Sequence, residues 1–410
     1  MSDYLPQEVI TNILVRLPIK SLVRCTSVCK SWSSMIKNSS FIRAHLSRTI
    51  NLNNLHGTHL LLLHKVSCES SSSSFCHNTF IHEVKEDDYS LHYDNHAFDE
   101  YCKIGFQSPI ADMEMYNECF RVVGICNGLV CLADDLSRYG YNFIIWNPSI
   151  RKLVTLPKPG VTFKTVGGYD ACHGFAFDAI TNDYKVVRLV EDQNRFIEGQ
   201  TENQTFVEVY SLAAGSWSNP WFVDPQCSIS AHSPQAFVNG ALHWDARGLA
   251  SNSYCFFILA FDVGSELFRE IMMPKSLDLD FVSALRLSVS GYGNSLALFM
   301  RSNEYTNSFL DIWVMKEYCV EESWTKLITL RPQGPERSLP KALCFRKSSE
   351  VVMANHEQHH YRGEARNELV SLDLVSGQFK NLGISQYQYY TIDSYEESIV
   401  LLDRNEAVSC

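Results

Sequence analysis

The stretch GICNGLVCLADDLSRYGYNFIIWNPSIRKLVTLP, residues 124–157, reads as two β-hairpins in succession. Asn127-Gly128 stands between two apolar runs, which is the strongest short signal for a tight hairpin turn. In the second hairpin, Trp146 is followed by turn-forming residues and then, seven positions later, by Leu153. The stretch therefore predicts four short strands joined by tight turns.

The same unit recurs through the rest of the chain. Tight turns followed directly by an apolar strand occur at positions 127, 182, 239, 294, 349 and 396, with spacings of 55, 57, 55, 55 and 47 residues. The seven-residue pairing recurs as Tyr210/Trp217, Phe261/Phe268 and Leu372/Phe379, and it is stretched to eleven residues at Trp313/Trp324. A period near fifty with four strands in each unit is typical of β-propeller blades.

The sixth unit supplies only one hairpin, YTIDSYEESIVLL (390–402), before the chain ends. The segments THLLLLHKV (58–66) and NTFIHEVKE (78–86) are strand-like and have no early partner. We therefore expect a six-bladed propeller whose last blade combines strands from both ends, because such closure hides exposed sheet edges. A five-bladed or irregular β-structure is the alternative.

A different pattern precedes this mainly β body, in LPQEVITNILVRLPIKSLVRCTSVCKSW (5–32). Apolar residues recur at three- and four-residue spacing, and Pro6 and Pro18 punctuate the pattern, which predicts a module of three short helices. Residues 1–45 hold six basic and two acidic side chains, a net charge of +4, whereas the whole chain carries −11, so the rest carries −15. So small a module cannot bury all its apolar surface. The periodicity alone leaves two interpretations open, a partner groove or packing against the chain's own β-domain.

The residues of this module resemble an F-box, the element that docks receptors onto the Skp-family adaptor of cullin ubiquitin ligases. The resemblance covers about residues 3–46 and includes the two Leu-Pro pairs and the run VCKSW (28–32). It implies that Lys20, Arg24 and Lys30 face an acidic adaptor. The side chains that it assigns to adaptor binding are Leu5, Pro6, Ile10, Leu14, Leu17, Pro18, Leu22, Val28, Cys29, Lys30 and Trp32.

The body, especially residues 124–157 and HGFAFDAITNDYKVV (173–187), resembles the plant F-box-associated domain, a diverged kelch-like repeat. Among its branches the chain looks closest to the S-locus F-box and S-locus F-box-like proteins. The boundaries expected are an F-box at 1–46, a connecting segment with closing-blade strands and a Ser-rich loop at 47–118, the propeller at 119–402 and a tail at 403–410.

The resemblance implies a non-catalytic substrate receptor of a Skp–cullin–F-box ubiquitin ligase, in which the propeller holds a target protein for ubiquitination and degradation. In the S-locus branch the target would be a basic style ribonuclease and the process self-incompatibility, which the −15 body would suit. The same receptor role for a defence or hormone-signalling protein is the alternative. A propeller enzyme or a glycan-binding protein is a third hypothesis from a different class.

Other chemistry finds little support in the sequence. The cluster HEQHH (356–360) has the spacing of the zinc motif HExxH but follows a strand rather than lying on a helix, so a solvated loop is the preferred interpretation and no metal or cofactor is expected. None of the 14 cysteines forms a CxxC pair, so we expect free thiols in the cytosol or nucleus. The acidic body argues against nucleic acid, and no apolar run suits a membrane. Substrate-reading residues cannot be assigned, but we expect them in the long loops at 160–172, 191–204, 301–309 and 355–366.

Overall fold

The computed structural model describes residues 5–70, 82–110, 115, 117, 119–135, 140–192, 205–223, 227–230, 234–250, 253–275, 277, 282–290, 295–302, 308–332, 339–357, 366–404 and 407–409. Residues 71–74 of the predicted Ser-rich loop at 67–74 lie outside these ranges. Within them no helix is long and apolar enough to cross a membrane.

The amino-terminal module contains four helices, where the sequence predicted three. They are α1 (Gln7–Leu14), α2 (Ile19–Cys25), α3 (Lys30–Ile36) and α4 (Ser39–His56). The apolar stripe that predicted one helix after residue 30 is interrupted at Asn38, whose side-chain oxygen accepts a hydrogen bond from Ser40 N (2.9 Å) and starts a new helix. Helix α4 ends at Gly57 in the left-handed conformation (φ 64°), ten residues past the predicted boundary at 46.

The body consists of six antiparallel sheets, as expected. Blade 1 contains β4 (Arg121–Cys126), β5 (Leu129–Ala133), β6 (Phe143–Asn147) and β7 (Lys152–Thr155). Blade 2 contains β8 (Tyr169–Asp178), β9 (Asp183–Asp192), β10 (Thr205–Ser211), β11 (Ser216–Trp217) and β12 (Trp221–Phe222), and the short helix α5 (Phe163–Val166) precedes it. Blade 3 contains β13 (Ser228–Ile229), β14 (Ala236–Val238), β15 (Ala241–Ala250), β16 (Ser253–Asp262) and β17 (Leu267–Met272).

Three further sheets complete the ring. Blade 4 contains β18 (Val282–Val289), β19 (Leu296–Ser302), β20 (Phe309–Met315) and β21 (Trp324–Leu330), with a 3₁₀ turn at Glu321–Ser323. Blade 5 contains β22 (Lys341–Phe345), β23 (Val351–Glu357), β24 (Arg366–Leu372) and β25 (Phe379–Tyr387). Blade 6 has the order β26-β1-β2-β3, from β26 (Tyr389–Tyr395), β1 (Leu60–Ser70), β2 (His82–Tyr93) and β3 (Glu100–Ile104). The innermost strand of each blade contacts those of its neighbours, and β26 contacts both β22 and β4, which closes the circle.

The repeat signals correspond to specific pairings. Asn127 and Gly128 have φ values of 52° and 79°, the geometry of a tight hairpin turn that only a few residue types adopt at low cost. Four of the apolar pairs spaced by seven residues lie directly opposite each other on adjacent strands: Trp146/Leu153, Tyr210/Trp217, Phe261/Phe268 and Leu372/Phe379. The seven-residue spacing therefore corresponds to pairs of side chains that face each other across adjacent strands, and such pairs stabilise each blade.

Ring closure differs from the expected version in detail. Blade 6 takes one strand from the carboxy-terminal part and three from the amino-terminal part, so the hairpin predicted at 390–402 does not form. After Tyr395 the chain leaves the sheet, and Ile399 and Leu402 pack against the helical module, where their side chains find apolar partners that a sheet edge would not supply. The last strand, β27 (Val408–Ser409), pairs with β7, so part of the predicted tail adds to blade 1.

The helical module packs directly on the ring. Leu14, Ile19, Leu22, Ile36, Phe41 and Ile42 form one buried cluster with Ile399 and Leu402. Two polar contacts accompany this cluster, from Arg43 to Asn182 Oδ1 (2.7 Å) and from Asn53 to Glu396 Oε2 (2.6 Å). The interpretation in which the module packs on the chain's own β-domain is therefore confirmed for one side of the module, and another side remains exposed.

Candidate binding surfaces

The helical module exposes an apolar stripe along α1. Val9 and Ile13 lie four residues apart on one face and are 40% and 49% exposed, and Leu5, four residues earlier, is 56% exposed. Val28, between α2 and α3, is 64% exposed. Four large apolar side chains exposed on so small a module are the mark of a protein-binding surface.

The side chains that the sequence assigned to an adaptor divide into three groups. Leu14 and Leu22 are almost completely buried and form part of the module's own core, so their side chains are not exposed in this structure. Ile10, Leu17 and Trp32 are partly buried at the border of that core. The remaining six are exposed: Leu5, Pro6, Pro18, Val28, Cys29 and Lys30.

Val9 and Ile13 are exposed on α1, but the sequence did not assign them to the adaptor-binding surface. Both belonged to the apolar pattern of α1, which is too wide for one stripe because apolar residues occupy two sides of the helix. One side, with Ile10 and Leu14, faces the module core, and the other faces outward. Of the basic residues, Lys20 interacts electrostatically with Glu397, which follows β26 of the propeller. Burial raises the pKa of Glu397, and the positive charge of Lys20 lowers it in part.

A second surface lies at the opposite end of the ring. Strand β4 ends in the Asn127-Gly128 turn. A cavity between the helical module and the propeller is lined by Asn127 together with Ile42 and Arg43 of α4, so the carboxy-terminal end of β4 faces the helical module. The beginnings of β4, β18, β22 and β26 converge at the other end, around a cavity of about 410 Å³ that we call the ring mouth. Its volume lies in the range of ordinary ligand sites.

The ring mouth combines basic and apolar side chains. The residues that line it include Arg121, Arg286, Arg301 and Lys341, together with Phe299, Leu310, Tyr389 and Tyr390. Arg121 is neutralised within the protein, because its Nε and Nη2 donate to both oxygens of Asp135 at 2.9 and 2.7 Å. Asp135 also lies 3.0 Å from His173 Nδ1, and burial lowers the pKa of His173 to about 4. This enclosed trio joins blades 1 and 2.

Only one of the loops expected to read a substrate is fully described. Residues 160–172 are fixed by Glu208, whose Oε1 accepts hydrogen bonds from Gly160 N (2.7 Å) and Val161 N (3.0 Å). Glu208 also forms a fully buried ion pair with Arg188 (2.9 Å). Phe163 on this loop is 52% exposed. The central parts of the loops at 191–204, 301–309 and 355–366 fall outside the described residues.

The histidine cluster falls partly outside the described residues as well. His356 lies on β23, whereas His359 and His360 are not described. In the part of the chain that the structure does cover, no group of three or more His, Cys, Asp or Glu side chains could hold a metal ion.

Comparisons with known proteins agree with this arrangement of a helical module followed by a propeller. Residues 3–44 match the F-box domain family, and residues 76–400 match the family described as the F-box associated beta propeller domain. An F-box/kelch-repeat protein of Arabidopsis thaliana is 25% identical, covering 87% of this chain and 90% of its own length. The F-box protein CPR1 of the same plant is 24% identical, covering 97% and 89%.

The solved structures that resemble this chain are more remote. The crystal structure of the polysaccharide lyase Uly1 aligns over 78% of this chain and 81% of its own length, at 7% identity and a TM-score of 0.41. A score this low contributes nothing to the assignment of function.

Proposed function

Because this chain belongs to the family of F-box proteins with an F-box-associated β-propeller domain, we propose that it is the substrate receptor of a Skp–cullin–F-box ubiquitin ligase. The exposed face of the F-box docks the Skp-family adaptor, which connects it to a cullin. The propeller binds a target protein in the cytosol or nucleus. The chain contributes effective concentration and orientation to ubiquitin transfer and breaks no bond itself.

The observation that carries this proposal is the division of the F-box into two apolar faces. One face is buried against the propeller through Ile399 and Leu402, and α1 exposes Val9 and Ile13 on another. An adaptor bound to the exposed face would be held at a fixed orientation to the propeller. Such rigidity is what a receptor needs in order to present a bound target to the ubiquitin-carrying enzyme.

Affinity capture of the full-length chain from plant cells tests the proposal. We expect the wild-type chain to co-purify with a Skp-family adaptor and a cullin. The double variant Val9→Asp/Ile13→Asp should lose both, while it retains the target protein and lets it accumulate. Val375→Asp is the matched control, because Val375 is 96% exposed on a turn of blade 5. Capture of the wild-type chain without adaptor or cullin would refute the proposal.

We also propose a narrower assignment, that the target is a basic style ribonuclease and the chain acts in self-incompatibility. It is supported by the −15 charge of residues 46–410 and by the strand motifs shared with S-locus F-box proteins. Transcript restricted to pollen and saturable binding of a style ribonuclease are the expected results. Broad leaf expression would favour a defence or hormone-signalling target instead.

A further inference from the structure

We propose that the ring mouth binds a short, carboxylate-bearing segment of the target protein, with Arg286 and Lys341 pairing with its acidic side chains. This inference rests on the proposed function, since it names the chemistry by which the receptor would recognise its target. The charge of −15 carried by residues 46–410 favours a basic target, whereas the cavity itself is lined by basic side chains and favours an acidic segment.

The lining of the ring mouth carries positive charge. Arg286 on β18 and Lys341 on β22 come from the innermost strands of neighbouring blades, and Arg301 on β19 lies behind them. Among the described residues that line the cavity, none is an aspartate or a glutamate. The composition of this cavity therefore contrasts with the charge of −15 carried by residues 46–410.

Among the described residues, the two innermost cations of the ring mouth have no carboxylate close by. Within the described residues, no carboxylate lies within 4.0 Å of Arg286 or Lys341. Arg286 Nε donates one hydrogen bond, to Leu343 O at 3.3 Å. Burial, followed by the charge of Arg286, lowers the pKa of Lys341 to about 8. An anion in the cavity would relieve this repulsion between like charges.

The groups that face this pair do not remove the need for an anion. Asp393 on β26 is near enough for Arg286 to act on it, and burial raises the pKa of Asp393 to about 6, so at pH 7 it is mostly ionised and offsets one of the two positive charges. Tyr389 and Tyr390 begin the same strand, and burial raises the pKa of Tyr390 to about 12, so its phenol stays neutral. The pair therefore keeps a net positive charge at pH 7.

The ring mouth has room for part of a peptide. A cavity of about 410 Å³ is large enough for a few side chains and exceeds what a single inorganic anion fills. Phe299, Leu310 and Tyr390 provide apolar contact beside the cations. This combination suits acidic residues interspersed with aromatic or aliphatic ones. A target that is basic overall can carry such a segment locally, so that the acidic body steers its approach and the cavity makes the contact.

Binding of defined peptides to the full-length chain tests the inference. The probe is a fluorescent pool of hexapeptides built from Asp, Glu, Phe and Leu, measured by anisotropy, with a matched pool of Asn and Gln in place of the acids. We expect the acidic pool to bind and the amide pool not to bind. The double variant Arg286→Met/Lys341→Met should weaken binding by at least about 30-fold, because both positive charges that pair with the acidic side chains are removed. Lys164→Met, on the exposed helix α5, should leave binding unchanged.

Further measurements keep each outcome interpretable. Lys341→Arg should preserve binding, and thermal unfolding shows whether the double variant is folded. Equal binding of both pools, equal binding by the double variant or no binding of the acidic pool at 1 mM peptide would overturn the inference. Displacement of the peptides by inorganic phosphate at equal concentration would also overturn it, in favour of a small-anion site. Adaptor binding, measured on the same preparations, reports separately on the proposed function and should not change in the double variant.

Discussion

Arg346 links the closing blade to blade 5, and breaking this link tests the account of ring closure. Its side chain is 1% exposed, and its Nε donates to Asp94 Oδ1 at 2.7 Å, across 252 residues of sequence. Asp94 Oδ2 also accepts from Lys347 N at 2.8 Å, and Glu350 lies 2.6 Å from Arg346 Nη1. Asp94 and Asn95, to whose carbonyl Arg346 also donates, directly follow β2 in the closing blade.

Asp94→Ala should lower the free energy of unfolding by about 3 kcal/mol. Removing one member of a buried ion pair costs about 3–5 kcal/mol, because the other charge stays buried without its partner. We take the lower end because Glu350 remains beside Arg346 and is 22% exposed. Asp94→Asn should cost less, since the amide oxygen can still accept a hydrogen bond.

The assay is urea denaturation of the full-length chain, with hydrogen exchange at the amides of β1 and β26 to locate the effect. The double-mutant cycle with Arg346→Met isolates the coupling between the two side chains. We expect faster exchange in β1 and β26 first, since the link joins their blade to its neighbour. A loss below about 0.5 kcal/mol in Asp94→Ala, or unchanged exchange in both strands, would refute the reasoning.

Three further predictions concern other parts of the molecule. Ile399→Ala empties a fully buried position and should lower the free energy of unfolding by about 2–4 kcal/mol, making the F-box more sensitive to limited proteolysis. Burial lowers the pKa of His243 from 6.5 to about 4, so between those values the unfolded chain binds a proton that the native chain does not. Stability should therefore fall as the pH falls from 6.5 to 4, and His243→Gln should flatten that slope in urea titrations. Burial raises the pKa of Cys227 to about 12, so its thiol should not react with maleimide at pH 7.5 until the protein is denatured. The exposed Cys29 and Cys319 should be labelled in the native protein, and mass spectrometry of the labelled peptides measures both results.

The repeat architecture could be predicted because its signals are local. Asn127-Gly128 encodes a turn through its own φ values, and the spacing of Trp146 and Leu153 encodes a cross-strand pair. Closure was only partly predictable. A short apolar segment such as 398–402 does not reveal whether its side chains will pair in a sheet or pack against helices, because that depends on tertiary neighbours.

The binding surfaces were harder to predict for the same reason. The apolar pattern of α1 did not show that Leu14 would face the module core while Ile13 faced outward, since the position of the propeller decides which side is covered. Arg286 and Lys341 are 55 residues apart and belong to different repeats, so their convergence at the ring mouth appears only when the blades are placed in a ring.

The most direct test of the central claim is the dissociation constant between the full-length chain and a Skp-family adaptor, measured by calorimetry for the wild type, Ile13→Asp and the control Val375→Asp. A charge placed on an exposed apolar contact side chain should weaken binding by at least about 30-fold, or about 2 kcal/mol, while the control binds as the wild type does. Binding of Ile13→Asp within about twofold of the wild type, with the protein folded, would contradict the assignment of this face.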